Sequence, residues 1–336
     1  MRRVKLQFIP GLEVEFIDRD RGIKQVYEFG ERGTWYPVVV FGPEGCGKTS
    51  WLKQSVEIFK ELGFSVIYFN PLRRDFLVEV GVKSVEERAQ EVLKQVFSEY
   101  ELARFIWSVI DFVKDVIRLG RERIAVIVDD AFQLTGSHNA ALFVKGLLEL
   151  IEHPFEKYEK IVAIAATSEG FSRREIGRHR WANLMPMWNM SERGFRELYE
   201  KIPGSKLEFN EVWRLTGGNP DILRKLYQAE WDVDIVINRF LREKEITLSF
   251  INRWRSYLER AIEDPDVLWS PDTPQELIDE LIAKNLIVYN MYDRDYVFWV
   301  DEPPPKKDLE LGIGKHVAWQ TPLHRDAVRK ALLGIK

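Results

Sequence analysis

Eight residues early in the chain have the types and spacing to hold a phosphate. Gly42-Pro43-Glu44-Gly45-Cys46-Gly47-Lys48-Thr49, followed by Ser50, matches G-x-x-x-x-G-K-[ST]. Glycines at 42, 45 and 47 allow backbone conformations closed to residues with a Cβ, so successive N–H groups can turn inward around an anion. A helix starting near Lys48 adds the positive end of its dipole. In such a loop the lysine, Lys48, reaches the β- and γ-phosphates, and the hydroxyl, here Thr49, ligates Mg²⁺. The stretch from Gly42 to Ser50 is therefore the expected nucleotide-binding segment.

Two carboxylates form the second group. Ile124-Ala125-Val126-Ile127-Val128 is an uninterrupted apolar run ending in Asp129-Asp130. Continuous rather than alternating hydrophobicity indicates a strand covered on both faces, as in a parallel sheet between helices. Ligands of open α/β sheets bind beyond the carboxyl ends of the strands, which would bring this pair to the phosphate loop. Asp129 would then hold Mg²⁺, usually through water, and Asp130 would act as the base that polarises an attacking water. The competing reading is that the pair caps a turn. Thr167 and Ser168 end another apolar run; their hydroxyls either orient water and touch the γ-phosphate or start a turn. Phe171 to Arg180 holds four arginines, read either as a solvated face or as the source of a guanidinium for the γ-phosphate.

These groups need a frame. Val38-Val39-Val40-Phe41 supplies a β-branched strand ahead of the loop, and Trp51, Leu52, Val56 and Phe59 give an amphipathic helix after it. Ser65 to Phe69 reads as a second strand. Residues 85 to 119 repeat apolar positions at a period of 3.6, which predicts two helices packed on the sheet, with Phe105, Trp107 and Phe112 in the core. A helix over 140–151, a buried strand over 161–166 and a last strand over 184–188 follow. Ahead of the loop, Lys5 to Ile9 reads as a strand or extended arm, and Asp18 as the N-cap of a helix running through Gln25 to Phe29.

Beyond residue 190 the sheet signal stops. Short helices are expected over 192–201, 209–215, 222–230 and 233–243. Thr216-Gly217-Gly218-Asn219-Pro220 joins two of them, with Gly-Gly as a C-cap signal and Pro220 in the next first turn. Helices over 248–262 and 274–284 precede two runs, 286–289 and 296–300, that flank a turn at 293–295 and predict a hairpin. A helix over 322–333 follows. The division is a P-loop core over 1–190, a helical lid over 191–245 and a winged-helix-like segment over 246–336.

Composition narrows the classes. A chain of 336 residues, 45% hydrophobic and 30% charged with a net charge of −4, is a folded protein with no general affinity for polyanions. The one cysteine, Cys46, excludes an internal disulfide and a cysteine zinc cluster. No apolar run approaches the ~18 residues of a membrane span, and residues 1–5 lead into no apolar signal core, so an intracellular, cytoplasmic protein without a membrane partner is expected.

The loop at 42–49, the Asp129-Asp130 strand and the 216–220 junction, in this order, resemble the archaeal ATPase family, in the STAND branch of AAA-like P-loop ATPases related to archaeal origin-recognition proteins. The resemblance implies an α/β/α parallel sheet of order 5-1-4-3-2, a helical lid and a C-terminal winged-helix domain. It implies that Phe16-Ile17-Asp18-Arg19 corresponds to the family's adenine-contacting box, with Ile17 and Arg19 at the nucleotide and Asp18 in place of the usual glycine. By the same resemblance, Gly177-Arg178 matches the Gly-Arg ahead of the last strand, and Pro220 belongs to the junction that closes over adenine and phosphates. Where efficient hydrolases of this kind carry Glu, this chain has Asp130, one methylene shorter, which implies slow turnover.

The expected catalytic set is thus Lys48, Asp130, Thr167 and Arg178, with Thr49 and Asp129 on Mg²⁺ and ATP or ADP as ligand. Two functions follow: a slow nucleotide switch reporting to a protein partner through its C-terminal domain, or an origin-recognition-like ATPase that reads duplex DNA. Charge disfavours the second. Residues 246–336 hold 12 Lys and Arg against 15 Asp and Glu, and the helix before the expected wing carries Glu276, Asp279 and Glu280 against Lys284 alone. Duplex binding draws on phosphate neutralisation.

Overall fold

The structure is a computed structural model that describes residues 2–70, 75–79, 102–119, 122–154, 157–167 and 170–334. The chain divides into two compact units: Met1–Val4, Asp20–Phe41 and Lys48–Met185 form the first, and Lys5–Arg19, Gly42–Gly47 and Pro186–Lys336 the second. The second unit thus takes in an early hairpin, β1 (Lys5–Ile9) and β2 (Leu12–Glu15), paired antiparallel with Leu6 opposite Val14.

In the first unit, helix α1 (Asp20–Arg32) leads to β3 (Val38–Phe41), α2 (Lys48–Glu61), β4 (Ser65–Asn70) and β5 (Asp75–Glu79). Helix α3 (Leu102–Arg118), β6 (Arg123–Asp129), α4 (Ala131–Glu152), β7 (Lys160–Ala166), α5 (Phe171–Gly177) and β8 (Asn183–Pro186) complete it. The strands lie in the order β5-β4-β6-β7-β3-β8. Parallel pairing joins β4 to β6, β6 to β7 and β7 to β3. The edge strand β5, antiparallel to β4, has no counterpart in the sequence reading.

The apolar runs of these strands are buried almost throughout, as two-sided cover demands. Alternate residues face opposite ways. Val39, Ile67, Val126 and Ala163 share a core with Val109 and Val113 of α3 and Phe143 and Leu147 of α4. Helices α1 and α2 pack on each other, with Trp51, Leu52 and Phe59 of α2 fully buried. Phe112 is buried as expected; residues 85–101 of the predicted helical stretch, the side chains of Phe105 and Trp107, and Ser168 lie outside the described residues. Helix α4 begins at Ala131, nine residues ahead of the expected start at 140. The stretch Thr135 to Asn139, rich in small polar residues, carries no helix periodicity of its own.

In the second unit come helices α6 (Glu192–Glu200), α7 (Phe209–Thr216), α8 (Pro220–Gln228) and α9 (Val233–Glu243), of which all but α7 have a side-chain N-cap. Ser191, Asn219 and Asp232 each accept first-turn N–H groups with their side chains. Helices α10 (Leu248–Glu263) and α11 (Gln275–Ala283) follow, then β9 (Ile287–Tyr289), β10 (Val317–Trp319) and α12 (Pro322–Leu333). One continuous core runs from Val14 and Ile17 through Phe195, Leu223, Phe240, Trp254 and Leu277 to Trp319 and Val328. Residues 191–245 and 246–336, separate in the sequence reading, therefore share a single apolar interior.

The expected hairpin between 286–289 and 296–300 is not formed. β9 pairs instead with β10, Ile287 opposite Trp319. Tyr296–Phe298 is a turn of 3₁₀ helix started by Asp295, whose carboxylate accepts from the Val297 N–H. Trp299 is buried with its indole N–H on the Asp293 carbonyl at 2.7 Å, and Val300 bridges Met187. The apolar run thus folds inward at its end rather than extending along β9.

Candidate functional site

The parallel register sets the site in the first unit. Ala166 at the end of β7 stands opposite both Val40 of β3 and Asp129 of β6. The chain therefore leaves three adjacent strands along one edge, at Phe41, Asp130 and Thr167. The Thr167 N–H donates to Val40 O at 2.9 Å and the Asp130 N–H to Ala166 O at 3.2 Å. Thr167 is 1% exposed.

Asp129 is fully buried. Its Oδ2 accepts from the Tyr68 hydroxyl at 3.1 Å and from Asn70 Nδ2 at 2.9 Å. Among the described residues its Oδ1 has no hydrogen-bond partner. Burial first, then the Asp130 charge, push the Asp129 carboxyl up to about 6, against the opposing pull of Thr49, Asn70 and Tyr68. The Thr49 hydroxyl, at the head of α2, thus lies close enough to favour the carboxylate. A buried carboxylate and a neighbouring hydroxyl are groups that could hold a hydrated Mg²⁺. Among the described residues no cluster of three or more His, Cys, Asp or Glu would hold a metal. Mg²⁺ binds through one or two carboxylates together with substrate phosphates.

Asp130 is left-handed, φ 54° and ψ 18°, a region that aspartate and asparagine visit more readily than other residues with a Cβ. It stands at the N-cap of α4 without making a side-chain cap bond. The turn-capping reading of the pair therefore does not account for its carboxylate. Of the basic run, Arg178 is exposed and paired with Glu175 at 2.9 Å. Arg173, which the sequence did not single out, lies over the Phe41 ring at 4.3 Å, at the strand end from which the phosphate loop departs.

In the second unit, the loop Gly42–Gly47 is gripped by residues far away in sequence. Glu44 N–H donates to Gln320 Oε1 at 2.7 Å, and Glu44 O accepts from Asn219 Nδ2 at 2.9 Å. Asn219 Nδ2 also donates to Asn189 Oδ1 at 2.8 Å, and Asn189 Nδ2 to Gln320 O at 3.3 Å, which closes a ring of four residues. Lys244 pairs with the Glu44 carboxylate at 2.7 Å. Gly45 has φ +77° and lies so close to α8 that a Cβ would come within 2.3 Å of Asp221 Cβ. Gly47 has φ +103°, and among the described residues nothing lies within 4 Å of where its Cβ would be.

Arg19 is 3% exposed. Its guanidinium donates to the carbonyls of Cys46 and Trp188 at 2.8 Å and of Asn189 at 3.4 Å, and pairs with the buried Asp301 at 3.1 Å. Ile17 is part of the second unit's core, and Pro220 opens α8 directly after the Asn219 cap. Asp18 accepts from the N–H and hydroxyl of Ser191. Sequence reasoning missed Tyr68, Asn70, Asn189, Lys244, Asp301 and Gln320. Only Asn70 had a local signal, a polar amide closing the apolar run 65–69.

A mostly parallel α/β sheet with a G-x-x-x-x-G-K-T loop between strand and helix, and a buried aspartate at the end of β6, two strands away from β3, defines a P-loop nucleotide-binding protein. The chain belongs to the family described as an ATPase domain predominantly from Archaea, which it matches over residues 16–226. No curated protein matches the sequence. Among solved structures, it is similar to the ORC2 protein of Aeropyrum pernix in its ADPNP-ADP complexes, with a TM-score of 0.47 and 12% identity over 98% of this chain and 96% of that one. The ORC1 protein of Aeropyrum pernix in complex with DNA gives 0.42 and 14%, over 95% and 93%. AMPPCP-bound DnaA from Aquifex aeolicus gives 0.38 and 14%, over 79% and 77%. Likenesses of this extent identify neither substrate nor partner. Among the described residues no helix is long and apolar enough to cross a membrane.

Proposed function

We propose that the protein binds and slowly hydrolyses ATP with Mg²⁺, and that it serves as a switch whose C-terminal half reports the nucleotide state to a protein partner. The observation that carries this reading is the buried Asp129, its Oδ1 bare beside the Thr49 hydroxyl. The loop amides and Lys48 bind the β- and γ-phosphates, and Thr49 and Asp129 hold Mg²⁺, which neutralises phosphate charge. Asp130, held left-handed at the strand end with its carboxylate uncommitted to the helix cap, orients the attacking water. Thr167 and Arg178 remain candidates for contact with the γ-phosphate, and Ile17, Arg19 and Pro220 for the nucleotide's other end.

Support for the switch lies in the grip on the loop by Asn189, Asn219, Lys244 and Gln320, the last of which belongs to residues 246–336. A ligand that reorders the loop amides must act on those bonds. Saturation at ~100 times the dissociation constant adds about 2.7 kcal/mol to the bound form, enough to bias such an arrangement. Duplex DNA is the competing ligand, and the acidic surplus of residues 246–336 opposes it.

Titration of the full chain with a fluorescent ATP analogue tests the first part. Lys48→Ala should abolish binding, and unchanged affinity would refute the phosphate-loop reading. A gel shift at ~50 mM salt tests the second, since tight, salt-sensitive duplex binding would displace the switch in favour of a DNA-reading ATPase.

A further inference from the structure

We propose that Tyr68 and Asn70 are positioning residues for the metal: by holding one oxygen of Asp129 they confine its carboxylate to serving a cation through the other, and so make the site select Mg²⁺ over Ca²⁺. The inference rests on the nucleotide-binding reading above and deepens it at two positions that no phosphate-loop pattern contains.

Tyr68, Asn70, Asp129 and Thr49 all belong to the first unit. Strands β4 and β6 run parallel, with Tyr68 opposite Ile127 and Phe69 opposite Val128. Continued by one residue, that register brings Asn70 to Asp129. Side chains alternate along a strand, so Tyr68, Asn70 and Asp129 share one face of the sheet. All three are buried. On that face Asp129 Oδ2 accepts from the Tyr68 hydroxyl at 3.1 Å and from Asn70 Nδ2 at 2.9 Å. An ionised carboxylate only accepts, so the Asn70 amide must turn its nitrogen toward it. With roughly two lone-pair sites per carboxylate oxygen, the two donors fill Oδ2. Among the described residues Oδ1 has no partner. Thr49 and Asp130, beside the carboxylate, are only partly buried, so solvent reaches the groups next to it.

The two cations ask different things of such a group. Mg²⁺ is octahedral at about 2.0–2.1 Å and keeps several of its waters, whereas Ca²⁺ takes about 6–8 oxygens at about 2.3–2.6 Å, often both oxygens of one carboxylate. A carboxylate tied through Oδ2 to the neighbouring strand cannot turn both oxygens to an ion. One oxygen suffices for hydrated Mg²⁺, and Ca²⁺ is left short of ligands. Hydrogen bonds to an ionised acceptor are about twice as strong as neutral ones, so Oδ2 does not readily leave its two donors. Neither Tyr68 nor Asn70 touches the ion; each acts through Asp129.

The test titrates the full chain with a fluorescent, non-hydrolysable ATP analogue in excess Mg²⁺ and, separately, in excess Ca²⁺, for the wild type, Tyr68→Phe and Asn70→Leu. The wild type should bind about tenfold or more tightly with Mg²⁺ than with Ca²⁺. Each variant loses one charge-assisted bond to Asp129. It should weaken binding with Mg²⁺ by about tenfold and with Ca²⁺ by less than about threefold, because the released oxygen becomes a ligand for the larger ion. Residues that merely brace the sheet would lower both affinities equally. Equal losses, an unchanged Mg²⁺-to-Ca²⁺ ratio in Tyr68→Phe, or a wild type indifferent to the cation overturn the proposal. Tyr68→Phe removes a single oxygen and keeps the ring, so it decides the matter if Asn70→Leu does not fold. If the wild type binds the analogue with neither cation, the nucleotide-binding reading falls and this one with it; if it binds with Mg²⁺ and the ratio is unmoved in the variants, only the role of Tyr68 and Asn70 falls.

Discussion

Replacing Asp129 with asparagine should stabilise the nucleotide-free protein at pH 7.5 while removing its response to magnesium. The carboxyl is pushed up to about 6 from an ordinary value of 3.8, mainly by burial and then by the Asp130 charge. A raised carboxyl binds its proton more tightly in the folded state. Its favourable contribution is therefore complete below about pH 3.8 and is lost as pH rises through 6. Two units at about 1.4 kcal/mol each amount to roughly 3 kcal/mol of penalty carried above pH 6. The side chain is fully buried, so solvent screening does not reduce this figure. Asparagine is nearly isosteric and uncharged, so the variant is relieved of that penalty, while its amide oxygen still accepts from Tyr68 and Asn70. Urea unfolding at pH 4, 5, 6 and 7.5, with chelator and no nucleotide, reads the effect. The gain should grow from near zero at pH 4 to about 3 kcal/mol at pH 7.5. With ATP analogue present, added Mg²⁺ should then stabilise the wild type further and leave the variant almost unmoved. A variant no more stable than the wild type at pH 7.5, or equally stabilised at every pH, would show that Asp129 carries no unmet charge.

Three further outcomes follow from the geometry. Asp130→Asn should preserve nucleotide binding and eliminate turnover in a phosphate-release assay; it should also lower the apparent Asp129 pKa, because the Asp130 charge is the second cause that raises it. His324 is buried against Phe240, with its pKa held well below 6.5 first by burial and then by the charges of Lys244 and Lys225. Its contribution to stability is present above pH 6.5 and lost as pH falls through the depressed folded value. His324→Gln should accordingly flatten the acid arm of a stability profile between pH 6.5 and 5, and an unchanged arm assigns it elsewhere. Arg19→Met removes a buried ion pair to Asp301 and the hydrogen bond to the Cys46 carbonyl, which should cost about 3–5 kcal/mol in urea unfolding. A loss under about 1 kcal/mol would mean that the pair contributes little beyond packing.

The sequence by itself determined whatever depends on neighbours in the chain. The glycine spacing from 42 to 47, the β-branched run before it and the continuous apolar run before Asp129 each carry a local period or a conformational demand. The helix starts at 192 and 233 were legible from the apolar periodicity, and the structure closes them with local side-chain caps, Ser191 and Asp232. Tertiary structure decided the rest. Glu44 meets Gln320 across 276 residues, and Arg19 meets Asp301 across 282. Such pairs leave no periodicity, and an asparagine or glutamine in isolation is only a polar residue. The partner of β9 was misread for the same reason, since the apolar run at 296–300 resembled a strand until the burial of Trp299 fixed where it turns. Local sequence thus specified the phosphate loop and its acidic strand. Which distant residues hold that loop was decided only when the chain packed, because those bonds exist solely where buried donors and acceptors are brought face to face.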